Sequence, residues 1–412
     1  MLGSLFSIAS LMVSTLMMMI GFGLMSYLLP VRALSEHWST LTISVIATGY
    51  TVGFTLSCIV TPLFVKRVGH VRVFAALIAL LTVSILLCAL VVEWKAWVAF
   101  RAMSGFAIAG AYLIIESWLN ERVTNENRGA LFSVYMIACL VGSIGGQYLV
   151  PLGDPSTTQL FIVCGIIFSL AIFPTALSTA QSPAPIATAQ FDLLKLYRRS
   201  PIAFVGAFVA GNLAGAWNNL GGVYTQTIGM TTAEGATLLA AVLAGGALAQ
   251  MPIGRISDRI DRRLVMALCG GAGVFACLGM ALVNTDHIYA LYATGFFVGT
   301  VLLPIYALNS AHANDRAEPH EYVTIASGIM ILYGLGTVAG PLGGGAMMET
   351  FGPGGLLLFL AAGFLAYGGY AAWRMRQRTD SGDKTDFQSR PLPMQGADAV
   401  TSLTPADGDA TI

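Results

Sequence analysis

The stretch GRISDRIDRR at residues 254–263 decides the fold of this chain. It is a short, strongly charged break between two apolar blocks of about 20 residues each. A second charged break, PLFVKRVGHVR at residues 62–72, stands earlier, and its Pro62 precedes Gly254 by 192 residues. Because self-similarity at a fixed spacing marks a repeated structural unit, the two breaks predict a chain built from two similar halves.

Glycine pairs give nearly the same period. Gly142 and Gly146 stand four residues apart in one apolar block, and Gly336 and Gly340 repeat this spacing 194 residues further on. Small residues four apart share one face of a helix and let a second helix approach closely, and Pro341 predicts a kink beside them. We therefore predict that these residues pack helices, in parallel halves related by an axis along the membrane normal.

The composition excludes a water-soluble fold. Of the residues, 56% are hydrophobic and 10% are charged, whereas soluble domains have about 25% charged residues. The apolar blocks have the length at which an α-helix crosses a hydrocarbon core about 30 Å thick. Outer-membrane strands would instead show alternating segments of about ten residues, so the blocks indicate helices.

We predict an all-α membrane protein with twelve transmembrane helices in two pseudo-symmetric six-helix bundles. The spans lie at residues 4–29, 40–64, 72–92, 97–119, 130–150, 158–178, 201–224, 235–256, 264–283, 288–311, 323–347 and 354–373. The first bundle takes residues 1–178 and the second takes residues 201–373. Residues 179–200 form a cytoplasmic linker, and residues 374–412 form a polar tail that we expect to be disordered.

The distribution of lysine and arginine predicts the orientation. If the N-terminus is cytoplasmic, 18 of the 21 Lys and Arg residues lie on that side, and only Arg32 and Lys95 lie outside. Since these residues concentrate on the cytoplasmic side, we expect both termini to be cytoplasmic in a bacterial inner (plasma) membrane. The formal net charge of zero predicts no nucleic-acid partner.

The charged break at residues 254–263 resembles the loop motif of the major facilitator superfamily. Its matching positions are Gly254, Asp258, Arg259, Arg262 and Arg263. Asp261 replaces the second glycine of that motif. A carboxylate beside arginines and a helix terminus can form a latch that holds one conformational state, so we predict a cytoplasmic gate here. An ordinary positive-inside turn is the alternative interpretation.

The first-half copy of the motif is degenerate. Lys66 stands where the motif has its acidic residue, and Pro62 stands where it has its first glycine. The outline of the motif is kept by Arg67, Gly69 and Arg72. A gate on this side needs another carboxylate, and Glu116 or Glu121 at the cytoplasmic end of span four is the candidate.

Span four reads WVAFRAMSGFAIAGAYLIIESWLNE and resembles a superfamily motif with an embedded arginine followed by glycines. Arg101 is the only Lys or Arg that lies deep within a span. A charge there is costly and usually faces a cavity, so we predict that Arg101 binds substrate or takes part in proton coupling. Glu116 lies 15 residues later, about 22 Å along the helix axis, so we assign it to the cytoplasmic network.

Span eleven contains GTVAGPLGGG at residues 336–345, which matches a pattern associated with superfamily antiporters. In those families the pattern lies in span five, where this chain has only GSIGG followed by Gln147. We therefore do not transfer antiport from the resemblance, and we interpret the stretch as a glycine ridge for helix packing.

Longer stretches narrow the resemblance to the YcaD-like permeases of the superfamily. They are VKRVGHVRVFAAL, AGAYLIIESWLNE, NENRGALFSVYM, LLPIYALNSAHAND and LYGLGTVAGPLGGG. The likeness covers nearly all of residues 5–373. It implies the superfamily fold and transport, and it implies no particular substrate because that family does not define one.

Polar and aromatic side chains within spans one, four, seven and ten are our candidates for the substrate cavity. Amides and rings amid few charges suit a neutral or weakly charged organic solute, although each can equally form an interhelical hydrogen bond. The candidates are Tyr27, Arg101, Tyr112, Asn212, Trp217, Asn218, Asn219, Tyr306 and Asn309.

The sequence favours transport over enzymatic function. No lysine follows a glycine as a phosphate loop requires, and no H-E-x-x-H or G-x-S-x-G motif occurs, so we expect no enzyme activity, no cofactor and no metal. We predict a monomeric secondary transporter that moves a small-molecule substrate across the lipid bilayer by alternating access, driven by the substrate gradient or by protons. A non-transporting receptor or scaffold on the same fold, which signals through its tail, is the alternative.

Overall fold

The structure of the chain is almost entirely helical. The computed structural model describes residues 2–122, 128–177, 192–318 and 321–377. The helices are α1 (Leu2–Ser35), α2 (Thr40–Val68), α3 (His70–Leu90), α4 (Trp94–Arg122), α5 (Arg128–Gln147), α6 (Gln159–Leu170), α7 (Ile172–Ala176), α8 (Leu193–Arg199), α9 (Pro201–Thr227), α10 (Thr232–Arg259), α11 (Arg262–Leu282), α12 (Ile288–Leu302), α13 (Pro304–Asn314), α14 (Tyr322–Phe351) and α15 (Gly354–Met375). Two 3₁₀ turns lie at Val150–Leu152 and Thr285–His287. No strand occurs in the described ranges, and the predicted all-α fold is confirmed.

The described helices provide eleven spans that are long and apolar enough to cross a membrane, or twelve if α8 and α9 are taken together. The helices α6 and α7 share one span, as do α12 and α13. The latter pair divides before Pro304, since proline lacks the N–H that would continue the helical ladder. The helix α9 is more polar than a simple apolar span because it contains Asn212, Asn218, Asn219 and Gln226.

Hydrogen bonds at the helix starts explain where several spans begin. Ser39 caps α2 by accepting a hydrogen bond from the backbone N–H of Thr42. Thr231 and Glu234 form a reciprocal capping box at the start of α10. These side chains satisfy backbone donors that have no partner within the helix, so the chain turns back into the next span within a few residues.

The same three helix pairings occur in both halves of the chain. In the first half α1 packs on α5, α2 on α4, and α3 on α6. In the second half α9 packs on α14, α10 on α12, and α11 on α15. These are equivalent pairs when the spans of each half are numbered one to six. Contacts between the halves run mainly through α2 with α14 and α1 with α9.

Glycines stand where the paired helices touch. A Cβ atom would collide with a carbonyl oxygen of the facing helix at Gly146, Gly336 and Gly340, where the oxygens belong to Ile20, Phe208 and Asn212. At Gly142 it would lie 2.6 Å from the Cβ of Met19. The backbones of α5 and α1, and of α14 and α9, are therefore in direct contact next to Pro341, which lies inside α14.

Because few residues separate most successive spans, the spans alternate in direction and their turns lie on two faces. The terminal face is defined by residues 69, 192–200, 260–261 and 315–318, and the opposite face by residues 36–39, 91–93, 148–158, 228–231, 283–287 and 352–353. On the terminal face Gly69 alone joins α2 to α3, with φ at 84° and ψ at 163°, a conformation that favours glycine.

The segment between the halves is described only from residue 192. Residues 193–199 form the short helix α8, which meets α9 at 117°. Asp192 caps this helix, and Leu196 is fully buried. The remainder of the predicted linker, residues 179–191, and most of the predicted disordered tail, residues 378–412, lie outside the described residues.

Candidate functional site

A cavity lies between the two halves of the molecule. Its wall is formed by α1, α2 and α4 from the first half and by α9 and α14 from the second. The cavity has a volume of about 120 Å³, counted as the space open to the centre of a water molecule. Apolar side chains such as Phe22, Phe54 and Ile331 form much of the wall. Hydroxyl, amide and guanidinium groups come from Ser26, Tyr50, Thr51, Thr55, Arg101, Asn218, Asn219, Tyr333 and Thr337. A mostly apolar pocket with a few polar groups is typical of small-molecule sites.

Arg101 contributes the only charged side chain among the described residues that line this cavity. The residue is 8% exposed. Its guanidinium carbon lies 4.3 Å from the centre of the Tyr50 ring, which is a cation–π contact. Its Nη1 lies 3.5 Å from the hydroxyl of Ser104. No carboxylate of the described residues forms an ion pair with Arg101, so its contacts are with neutral groups.

Close packing of α2 on α4 sets the position of Arg101. A Cβ on Gly53 would overlap the carbonyl oxygen of Ala102, and a Cβ on Gly105 would overlap that of Tyr50. The two helix backbones therefore touch close to the Tyr50–Arg101 contact, which keeps the guanidinium near the ring.

Two neighbouring amides on α9 face the cavity from the second half. Asn219 donates from Nδ2 to the carbonyl oxygen of Gly215 at 2.9 Å. Asn218 is exposed in the cavity wall, and its side chain forms no hydrogen bond with a described residue. The α9 backbone is seated against α14, since a Cβ on Gly215 would lie 2.7 Å from Thr337 Cα. The amide of Asn218 is thus available to a solute.

Three of the nine predicted cavity residues, Arg101, Asn218 and Asn219, line the cavity. The other six, which lie outside its wall, are Tyr27, Tyr112, Asn212, Trp217, Tyr306 and Asn309. Their contact with substrate stays a prediction.

Tyr27 joins the two halves near the opposite face. Its hydroxyl donates to the carbonyl oxygen of Thr232 at 3.0 Å and accepts a hydrogen bond from Gln226 Nε2 at 3.0 Å. Gly222 and Gly235 contact the same side chain, and a Cβ at either position would press on it. Tyr27 therefore acts as a contact between α1 and the α9–α10 hairpin in this structure.

Other predicted cavity residues make contacts within one half. The Tyr112 hydroxyl lies 2.7 Å from Met19 Sδ, between α4 and α1. Asn309 donates to the carbonyl oxygen of Ile305 at 2.9 Å. The ring of Tyr306 packs on the ring of Tyr333 with centroids 4.8 Å apart, directly behind the cavity wall. The Trp217 and Tyr224 rings are 6.5 Å apart on α9.

Sequence reasoning missed Tyr50 and Trp97, which also line the cavity. Tyr50 lies on span two, which was not among the spans considered for the cavity. Gly49 and Gly53 flank it at helical spacing, and they signal that another helix comes close. Trp97 precedes Arg101 by one helical turn and shares its face of α4.

The second-half loop motif is tied to its own bundle by ion pairs. Arg262 is 2% exposed and binds Asp258 at 2.9 Å and Asp315 at 2.7 Å. Its Nη1 also donates to Ser257 Oγ at 3.0 Å, and that hydroxyl donates to the carbonyl oxygen of Gly254. These contacts link the α10–α11 turn to the end of α13 on the terminal face.

The aspartate that replaces the second motif glycine has a structural use. Asp261 caps α11 by accepting from the backbone N–H of Arg263, and it also binds the Arg263 guanidinium at 2.7 Å. Burial would raise the pKa of the Asp261 carboxyl, but the hydrogen bonds from Arg263 lower it below the usual value. Arg259 is exposed at the end of α10.

The first-half copy of the motif has a different environment. Lys66, Arg67 and Arg72 are exposed and form no ion pair with a described residue. Glu116 is 1% exposed and accepts a hydrogen bond from the Tyr135 hydroxyl at 3.3 Å. The side chain of Glu121 lies outside the described residues. A first-half gate through Glu116 stays a prediction.

The model of the Major Facilitator Superfamily matches residues 11–242 and 202–404. The chain belongs to this superfamily. It is 25% identical to the uncharacterized MFS-type transporter YcaD of Escherichia coli, over 353 residues that cover 84% of this chain and 90% of that protein, in strains that include K12 and O157:H7.

Solved superfamily structures share the architecture. A mutant form of the nucleoside transporter NupG matches with a TM-score of 0.78 at 12% identity, covering 89% of this chain and 99% of that one. A bacterial homologue of the human lysosomal transporter Spinster, inward-facing and occupied, matches with a TM-score of 0.69 at 14% identity, covering 91% and 98%. At these identities the likeness shows the fold alone.

Membership of the superfamily confirms the broad predictions from sequence. This MFS protein is a multi-pass membrane protein of a transporter family and not an enzyme. It is expected, as a transporter, to bind a small-molecule substrate within the membrane, and the cavity between its halves is the candidate place for that substrate.

Proposed function

We propose that this protein is a secondary transporter that moves a small organic solute of low net charge by alternating access. The observation that supports the proposal is that both halves contribute to one cavity, with Arg101 on one wall and Asn218 on the other. If the halves rock against one another, the same site is exposed first to one side of the membrane and then to the other.

The rocking units in this proposal are residues 1–178 and 201–373. The three equivalent helix pairings in each half support this division, since each half has its own set of tightly packed helices. Close glycine contacts within each half make the bundles stiff. We propose that α8 and the rest of residues 179–200 form the connection between them, and that the protein acts as a monomer.

We propose further that the form described here is closed on the periplasmic side. The excess of Lys and Arg on the terminal face supports placing that face, with both termini, in the cytoplasm. Hydrogen bonds between the halves lie near the opposite face, where Tyr27 binds Gln226 and Thr232, and Tyr148 binds Thr237 at 3.0 Å.

Paired spin labels test alternating access. In a background without the six native cysteines, Ser35→Cys and Thr231→Cys report on the opposite face, and Phe64→Cys and Ile256→Cys report on the terminal face. All four positions are exposed. We expect two populations in which one distance lengthens as the other shortens. A single unchanging population on both faces in detergent, lipid and across pH would contradict the proposal.

Proton coupling is a finer proposal that rests on Arg101 and the buried Glu116. Proteoliposomes loaded with a mixture of small metabolites would show which solutes leave, and an imposed pH gradient should change that rate. A rate indifferent to the gradient would remove proton coupling and leave transport intact.

A further inference from the structure

Arg101 is a buried cation without a described counter-ion. Its guanidinium touches the Tyr50 ring and the Ser104 hydroxyl, which are both neutral. Ionisable side chains at membrane depth normally pair with an opposite charge or face a water-filled pathway. Arg101 faces a cavity, and an incoming ligand could therefore supply the missing negative charge.

The charge of the cavity wall is a single positive one. No Asp, Glu, Lys or His lines the cavity among the described residues. Glu116 on the same helix is 15 residues from Arg101, about 22 Å along the axis, and it does not line the cavity. A ligand with one negative charge would neutralise the wall, whereas a dianion or a cation would leave a net charge in an apolar site.

The hydrogen-bond donors in the cavity are unevenly distributed. The Thr51 and Thr55 hydroxyls donate to carbonyl oxygens of their own helix, at 3.0 and 2.9 Å. The Asn218 amide on the facing wall has no hydrogen-bond partner among the described residues. The guanidinium of the first half and this amide of the second are thus donors on facing walls that can meet an anion.

We propose that the substrate is an organic monocarboxylate with a mostly apolar body. Its carboxylate binds the Arg101 guanidinium through two parallel hydrogen bonds, because the planar fork of arginine matches a carboxylate. Its body lies along the apolar wall, and Asn218 contacts it from the other half. This inference names the substrate class of the site and rests on the proposed transport function.

A thermal-shift comparison of matched compounds tests the proposal on the purified full chain. The probes are acetate, butyrate, hexanoate, benzoate and phenylacetate, each compared with its own amide, and succinate as a dianion. A ligand that binds the folded state raises its unfolding temperature. We expect at least one monocarboxylate to raise the temperature in a saturable way while its amide and succinate do not. No shift from any acid, or equal shifts from acid and amide, overturns the proposal.

Variants of Arg101 assign the binding to this side chain. Arg101→Gln should lower the affinity for the acid at least tenfold, and Arg101→Lys should lower it less because the positive charge is retained. Arg198→Gln is the matched control, since Arg198 is exposed outside the cavity and should bind like the wild type. If Arg101→Gln does not fold, Arg101→Lys and Asn218→Ala provide the comparison. Wild-type affinity in both Arg101 variants overturns the proposal. If Arg101→Gln does not fold, wild-type affinity in both Arg101→Lys and Asn218→Ala overturns it.

Proteoliposomes separate this inference from the transport function. An acid that binds through Arg101 but never crosses the membrane would contradict the proposed transport and support the carboxylate site. If a solute without a carboxylate crosses equally well in the wild type and in Arg101→Lys, the proposed transport is supported and the carboxylate site is overturned.

Discussion

The two charged breaks at residues 62–72 and 254–263 hold equivalent places in the two halves, yet they differ in structure. The second contains a buried arginine, Arg262, bound by Asp258 of α10 and by Asp315, which follows α13. The first has exposed basic side chains and a one-residue turn at Gly69. A duplicated motif can thus keep its place and outline while only one copy retains the ion pairs.

The largest expected effect comes from breaking the second-half ion pairs. Asp315→Asn leaves the buried Arg262 guanidinium with the carboxylate of Asp258, which is partly exposed, and the neutral Ser257 hydroxyl. Loss of one member of a buried pair costs about 3 kcal/mol, and we expect a fall of this size in the free energy of unfolding, measured by denaturant titration in detergent. Lys66→Gln in the first-half break is the control and should change stability by less than about 0.5 kcal/mol. Equal effects of the two variants would contradict the comparison.

The first-half break should depend on its backbone and not on its charges. Gly69→Ala forces a side chain into a conformation with φ at 84° and ψ at 163°, and we expect a loss of about 2 kcal/mol by the same titration. Gly271→Ala is the control, because it lies inside α11 with no atom within 4 Å of its added Cβ. A Gly69 variant as stable as this control would show that the turn tolerates other residues.

Contacts between the halves should affect conformational state more than stability. Tyr27→Phe removes the hydroxyl that binds Gln226 and Thr232. At about 1 kcal/mol for each hydrogen bond, the form closed on the opposite face should lose up to about 2 kcal/mol relative to the open form. The spin-label pair on that face should record longer distances. Tyr112→Phe, whose hydroxyl contacts only the first half, should leave the distances unchanged.

The smallest effect concerns Glu321, which Lys195 and Arg199 of α8 bind at 2.9 and 3.0 Å. Burial would raise the pKa of Glu321, but hydrogen bonds from these two side chains and from the Glu318 backbone lower it to about 2. The stability it contributes is present above the ordinary pKa of 4.5 and disappears as the pH falls towards 2.

Glu321→Gln should therefore lower the unfolding temperature at pH 7. The loss in free energy of unfolding should be at most about 1 kcal/mol, because Lys195 and Arg199 are partly exposed. The difference from the wild type should shrink between pH 4.5 and pH 2. Glu349→Gln, an exposed position on α14, should show no such trend. A difference that persists unchanged at pH 2.5 would contradict the lowered pKa.

Much of the fold could be predicted because lipid restricts the chain to helices of a given length. The short helix α8 was not predicted, since a seven-residue helix is unstable alone and forms here with Leu196 buried and Lys195 bound to Glu321. The break before Pro304 was also not predicted, although the proline was a signal for it.

The site could be predicted in part. Arg101 was recognisable because a lone intramembrane charge is rare. Asp315 could not be assigned to Arg262, since 53 residues separate them and only the packing of α13 beside the α10–α11 turn brings them together. Tyr50 was missed because its role depends on which helix packs against α4.

The break before Pro304 should make the second-half span that packs behind the cavity wall less stiff than α4, its first-half equivalent. Arg101 stands on α4, an uninterrupted helix of 29 residues, whereas the equivalent span of the second half is divided into α12 and α13. Tyr306 follows the division and packs on Tyr333 of the cavity wall. In the proposed monocarboxylate site, the carboxylate would bind on the stiffer side, while the facing side would accommodate apolar bodies of different size. The site should therefore select more strongly for the head group than for the tail.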